Sequence, residues 1–156
     1  MNKKMFSLLM CGALAVGSLG MVASAEEETE GPSAVTTVGP DGATHFELWS
    51  FVDLHNEFYA NMVNEWNELN PDKQVQITFS TYPFNEMHNK FMLALQSGSG
   101  APDICDVEIG KFPAYTGEDS PLYVMTDALA PYEESMVTSR LDIYSREDGE
   151  RLGVPT

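Results

Sequence analysis

Lys3 and Lys4 precede an apolar run over residues 6–16, and Ala23-Ser24-Ala25 closes the segment just ahead of Glu26. A positive start, an apolar centre and a small-x-small end are the three parts of a secretory signal, so residues 1–25 read as a signal peptide cut after Ala25. Gly12, Gly17, Ser18 and Gly20 interrupt the run, which is then short of the roughly 20 predominantly apolar residues that span a bilayer. Residues 26–44 carry Glu26, Glu27, Glu28 and Glu30, then Gly31-Pro32 and Gly39-Pro40-Asp41-Gly42, with hardly any large apolar side chains. That stretch reads as an acidic flexible leader.

From Phe46 the pattern changes. Phe46, Leu48, Trp49 and Phe51 crowd into a run that is apolar on both faces, as in a central strand covered on both sides. Asp53 stands where it can cap the helix that follows. Phe58, Met62, Trp66 and Leu69 then recur at helical spacing, with Tyr59 and Val63 widening the stripe, until Asn70-Pro71. This places Trp66 in the core, as the strand places Trp49. Residues 74–79 alternate polar and apolar with period two, which predicts a strand nearer the sheet edge with one covered face. A second helix follows on Phe84, Met87, Phe91 and Leu95 and stops at Gly98-Ser99-Gly100. Pro102-Asp103 leads into a third strand over residues 104–109. The order strand, helix, strand, helix, strand predicts an α/β fold with a parallel βαβαβ sheet and flanking helices. Beyond Gly110 the pattern predicts a helical turn at 112–115 and a short helix at 127–136 interrupted at Pro131. Over 142–155 it predicts two strands joined by an acidic turn at Asp148-Gly149. Residues 45–156 read as folded material that ends in mid-pattern, a truncated domain rather than a complete one.

Charge narrows the partners. The 156 residues hold 8 Lys and Arg against 24 Asp and Glu, a formal charge of −16, which becomes −18 once Lys3 and Lys4 leave with the signal. Nucleic acid and anionic membrane surfaces are disfavoured, because both need clustered cations. Cys11 suggests a lipid anchor, but the bulky Met10 before it and the short apolar run ahead of it depart from the lipoprotein pattern. Cys105 then remains as the only cysteine; it cannot form an internal disulfide and reads as a small buried hydrophobe. His45, His55 and His88 lack the close spacing of zinc ligands. No phosphate loop, dinucleotide fingerprint or serine-nucleophile elbow is present, and no metal or cofactor is expected.

Several pieces together resemble the sugar-binding, maltose-binding-protein-like branch of the solute-binding proteins of bacterial ABC importers. They are the signal, Leu48-Trp49-Ser50-Phe51 before a helix, Trp66 through Asn70-Pro71 before Val75-Gln76-Ile77, and Gly98-Ser99-Gly100-Ala101-Pro102-Asp103 before a strand. The 127–132 and 149–155 stretches complete the set. The resemblance implies a two-lobed (type 2) binding fold of which residues 45–156 are part of the N-terminal lobe. It also implies a secreted monomer without enzymatic activity, which captures a carbohydrate between lobes and delivers it to membrane permease subunits. A truncated lobe would neither close nor bind tightly.

Ligands of open α/β sheets sit outside the carboxyl ends of the parallel strands, here residues 50–55, 80–85 and 108–112. Sugars need hydrogen-bonding groups for their hydroxyls and aromatic faces for their C–H surfaces. Asp53, Glu108 and Lys111 are the candidate polar ligands, and Tyr82 and Phe112 the candidate stacking residues; the resemblance implies ligand contact at Asp53 and the 108–112 loop. Phe84 and Tyr115 are further aromatics of the same loops. Asp53 reads equally well as a helix cap. Two other uses fit the same residues: reporting a sugar to a membrane sensor, and glycoside hydrolysis by Asp53 and Glu108 as a carboxylate pair.

Overall fold

A computed structural model describes residues 31–156; the expected signal peptide, its cleavage point and Cys11 lie outside the described residues. Strands β1 (Ala34–Val38), β2 (Thr44–Ser50), β3 (Val75–Thr81) and β4 (Ile104–Cys105) form one sheet in the order β1-β3-β2-β4. Helix α1 (Asp53–Leu69) joins β2 to β3, and α2 (Phe84–Ser97) joins β3 to β4. β2 runs parallel to both β3 and β4, so the expected central strand and parallel βαβαβ order are present.

Several expectations need correction. The segment read as a flexible leader contains β1, which pairs antiparallel with β3 from Ala34 opposite Thr81 to Val38 opposite Ile77. Val35-Thr36-Thr37-Val38 is a β-branched run whose strand preference is masked in sequence by glutamate, glycine and proline on either side. β3 is consequently interior rather than close to the edge. One face is the more deeply covered: Ile77 and Phe79 are buried, whereas Gln76, Thr78 and Ser80 on the opposite face are half-buried. The third strand pairs only over Ile104–Cys105, because beyond Asp106 the chain turns to form the 108–112 loop.

Gly39 makes the turn between β1 and β2 possible. Its φ is +106°, and an added Cβ would stand 2.3 Å from the Val75 carbonyl oxygen.

Helices cover both sheet faces. Val63 of α1 packs with Leu48, Ile77 and Phe79 of the sheet, and Met87 and Phe91 of α2 pack with Trp49, Tyr82 and Tyr115. α1 is rotated from its expected setting. Phe58, Met62, Trp66 and Leu69 are exposed, whereas Tyr59 and Val63, the expected flank of the stripe, face the sheet together with Ala60 and Asn67. Trp66 is therefore not core; its indole N–H donates to the Lys73 carbonyl at 2.8 Å and holds the turn into β3. α2 ends as expected, on Gly98 in the left-handed conformation (φ 69°). Asp103 then accepts the otherwise unpaired backbone N–H of Glu47 at 2.8 Å, just before β4 begins.

The tail forms a 3-10 turn at Phe112–Tyr115, α3 (Thr126–Leu129), a second 3-10 turn at Glu133–Ser135 and α4 (Thr138–Ile143). The first three match expectation. The two strands expected over 142–155 are replaced by the end of α4 and a single bridge from Ser145 to Arg151, which Arg151 braces through Glu133 and Ser145.

Buried thiol and phenol groups lead us to expect sensitivity to alkali. Burial, and then the nearby Asp106 charge, push the Cys105 thiol well above its ordinary 9.0; burial lifts the Tyr115 phenol from 10.0 to about 12. Burial likewise raises Tyr59 and Tyr144. All four groups are protonated in both states below the ordinary thiol value. As pH rises past 9.0 and then 10.0 the unfolded chain releases these protons first, so stability is lost progressively until the folded groups also titrate. The expected result is a melting temperature that holds from neutral pH to about 9 and falls steadily towards 12, with Cys105→Ala delaying the onset. A flat profile through pH 11 contradicts it.

Candidate functional site

The carboxyl ends of β2, β3 and β4 meet at one edge of the sheet, where the 50–55, 80–85 and 106–112 segments turn into helices or loops. Asp53 opens α1 and is exposed. It is not the helix cap: Val52 holds that position with extended angles (φ −139°, ψ 118°) and no side-chain cap bond. Asp53 Oδ1 instead accepts from the Thr81 hydroxyl at 3.0 Å, and Thr81 Oγ1 accepts from Asn56 Nδ2 at 2.8 Å. The three residues tie the start of α1 to the end of β3 beside a shallow recess of about 290 Å³ bounded by Thr36, Glu57 and Phe79.

Glu108 has its own partners. Its Oε2 accepts from the Gly110 N–H at 2.8 Å, and its carbonyl accepts from the N–H groups of Lys111 and Phe112 at 2.9 and 3.1 Å. The carboxylate thus shapes its own turn. Its backbone N–H donates to His88 Nε2 at 3.1 Å, and His88 Nδ1–H donates to the Phe84 carbonyl at 2.7 Å. His88 is buried, with both ring nitrogens bonded, and joins the loop after β3 to the loop after β4. Lys111 is exposed, its Nζ 5.7 Å from the centre of the Phe84 ring.

The two candidate stacking residues lie in the core. Tyr82 and Phe112 are each only 5% exposed. Tyr82 packs edge-on to Trp49 at 5.3 Å under the Lys90 ammonium, and Phe112 packs against Tyr144 at 4.6 Å and Leu152. Neither presents a ring face to a ligand in this structure. Tyr115 is core as well, its hydroxyl donating to the His88 carbonyl at 3.3 Å.

At the edge itself stand Phe84, one of the aromatics already named from its loop, and Phe51, His55, Tyr59 and Asp106, which were not named among the candidates. His55 Nδ1–H donates to Asp106 Oδ2 at 2.6 Å, and the Tyr59 hydroxyl lies 3.5 Å from Asp106 Oδ1. Phe51 stands edge-on to both His55 (6.0 Å) and Phe84 (5.1 Å). Strand-end position was the available signal for Phe51, His55 and Phe84. Asp106 carried none, because it lay within a run expected to be a buried strand. Among the described residues no group of three or more His, Cys, Asp and Glu side chains is arranged to hold a metal ion, and no helix is long and apolar enough to cross a membrane.

An α/β sheet with polar and aromatic groups gathered at its carboxyl edge is a setting for ligand binding, and sequence similarity gives the class: the chain has homologues named for binding sugar. It is 40% identical over 123 residues, 78% of its length, to the arabinooligosaccharide-binding protein of Halalkalibacterium halodurans (strain C-125). It is 36% identical over 127 residues, 81% of its length, to the arabinooligosaccharide-binding protein of Bacillus subtilis (strain 168). The chain spans 27% and 29% of the length of these relatives. No family model matches it.

Proposed function

We propose that this chain supplies part of the sugar-binding region of an extracytoplasmic solute-binding protein, which takes up an arabinose-containing oligosaccharide in an interlobe cleft and hands it to the permease subunits of an ABC importer. The observation that carries the reading is the similarity to two relatives of the same printed name, at 40% and 36% identity over about four fifths of the chain. The gathering of His55, Lys111, Phe51 and Phe84 at the carboxyl edge supports it, because uncharged sugars are held by hydrogen-bonding groups beside aromatic carbon. Export through residues 1–25, cleavage after Ala25, a monomeric state and the absence of catalysis belong to the same proposal.

The test is calorimetric titration of the whole protein with arabinotriose, xylotriose, maltotriose and arabinose, followed by analysis of each mixture for products. Saturable binding of arabinotriose, with the sugar recovered intact, is expected. A ligand at 100 times its Kd should also stabilise the protein by about 2.7 kcal/mol. Absence of binding to every sugar overturns the reading, and release of arabinose turns it into a hydrolase.

A further inference from the structure

The His55–Asp106 pair joins side chains 51 residues apart in sequence, and the two ends differ sharply in exposure. The His55 side chain is 42% exposed, whereas that of Asp106 is 10% exposed. A carboxylate only accepts, so Asp106 holds the proton of the neutral imidazole on Nδ1 and leaves Nε2 as an acceptor. Nε2 has no hydrogen-bond partner among the described residues. Next to it Phe51 bridges His55 to Phe84, which is 38% exposed, leans on the buried His88 at 4.6 Å and has Lys111 Nζ 5.7 Å from its ring centre. Acceptor, apolar face and cation are thus contiguous along one edge.

We propose that His55 and Phe84 are the sugar-contacting residues of this region. The Phe84 ring covers the C–H face of a pentose unit, His55 Nε2 accepts from one hydroxyl, and Lys111 Nζ donates to another. Asp106 acts as the positioning residue that fixes the His55 tautomer and ring direction, held in turn by its own backbone N–H, which donates to the Trp49 carbonyl at 2.8 Å. The arrangement suits an uncharged polyhydroxylated ring with one apolar face. A purely structural pair would bring Asp106 to α1 equally well, but it would not require an outward acceptor beside an exposed aromatic. This assignment rests on the sugar-binding reading and deepens it.

The experiment uses the whole protein with arabinotriose as probe. His55→Ala and Phe84→Ala should each weaken binding about tenfold or more, which is the effect of losing one aromatic contact or one hydrogen bond in a closed site. Tyr123→Ala, at an exposed position in the tail, should leave affinity unchanged. Asp106→Asn should weaken binding several-fold and alter the nitrogen-15 tautomer signature of His55. In the unmodified protein, saturation with arabinotriose should move the Nε2 resonance of His55. Wild-type affinity in folded His55→Ala and Phe84→Ala overturns the assignment while leaving the sugar reading intact. If those variants do not fold, an unmoved Nε2 resonance in the unmodified protein overturns it instead. Failure of the unmodified protein to bind arabinotriose removes the underlying reading, and this assignment with it.

Discussion

Phe79→Ala is expected to lower unfolding stability by about 3–5 kcal/mol, the range for removing a fully buried phenylalanine and leaving a cavity. Phe79 is 1% exposed on β3, an interior strand, and packs with Leu48, Val63 and Ile77 beneath α1. Its register neighbours are Leu48 on β2 and Thr36 on β1, so the ring is walled on both sides by backbone that cannot readily collapse inward. Against a total of about 5–15 kcal/mol for an ordinary domain, this loss brings the protein near the threshold of folding. Urea unfolding followed by circular dichroism measures it. Phe79→Leu, which keeps most of the apolar volume, should recover the larger part. A shift below about 1 kcal/mol for the alanine variant would mean that the α1 face of the sheet is not packed as described.

Asn67→Leu is the second large expected effect, about 2–4 kcal/mol, despite keeping the branched shape of the side chain and adding apolar surface. Asn67 is a buried polar residue on α1. Its Nδ2 donates to the Val75 carbonyl and its Oδ1 accepts from the Val75 N–H, each at 2.8 Å. Leucine would leave the donor and acceptor of Val75 facing a side chain that can satisfy neither, and a buried unsatisfied group costs about 1–3 kcal/mol. Hydrogen exchange makes the cause specific: the Val75 amide should lose protection selectively, ahead of amides in α2. Uniform loss across the sheet, or unchanged stability, contradicts the role assigned to this pair.

Those two residues mark where reading the chain succeeds and where it stops. Phe79 is legible as core because Ile77 and Phe79 alternate with polar neighbours at the strand period. Asn67 is not, because an asparagine on a helix reads as solvent-facing unless its partner is known, and the partner lies in the next strand. The same difficulty governs the candidate site. The strand-end rule points to the segments after β2, β3 and β4, yet it cannot say which side chains there turn outward. Tyr82 and Phe112 turn inward to fill space beside Trp49 and Tyr144, while His55 and Phe84 remain accessible.

By itself, the sequence determined the local elements and their order: two helices by 3.6-residue spacing, the interior strands by apolar run and alternation, the stop at Gly98, and the parallel βαβαβ connectivity. These follow from backbone geometry and near-neighbour chemistry, which a short window contains. Only the tertiary structure decided that residues 34–38 close one edge of the sheet, since their hydrogen-bond partners on β3 lie about forty residues away. It alone also set the rotation of α1. That helix presents its less apolar face to the sheet because four polar side chains on it find partners there: His55 and Tyr59 at Asp106, Asn56 at Thr81, and Asn67 at Val75. Buried hydrogen-bonding groups must be satisfied wherever the chain brings them together, and here that requirement prevailed over the hydrophobic stripe.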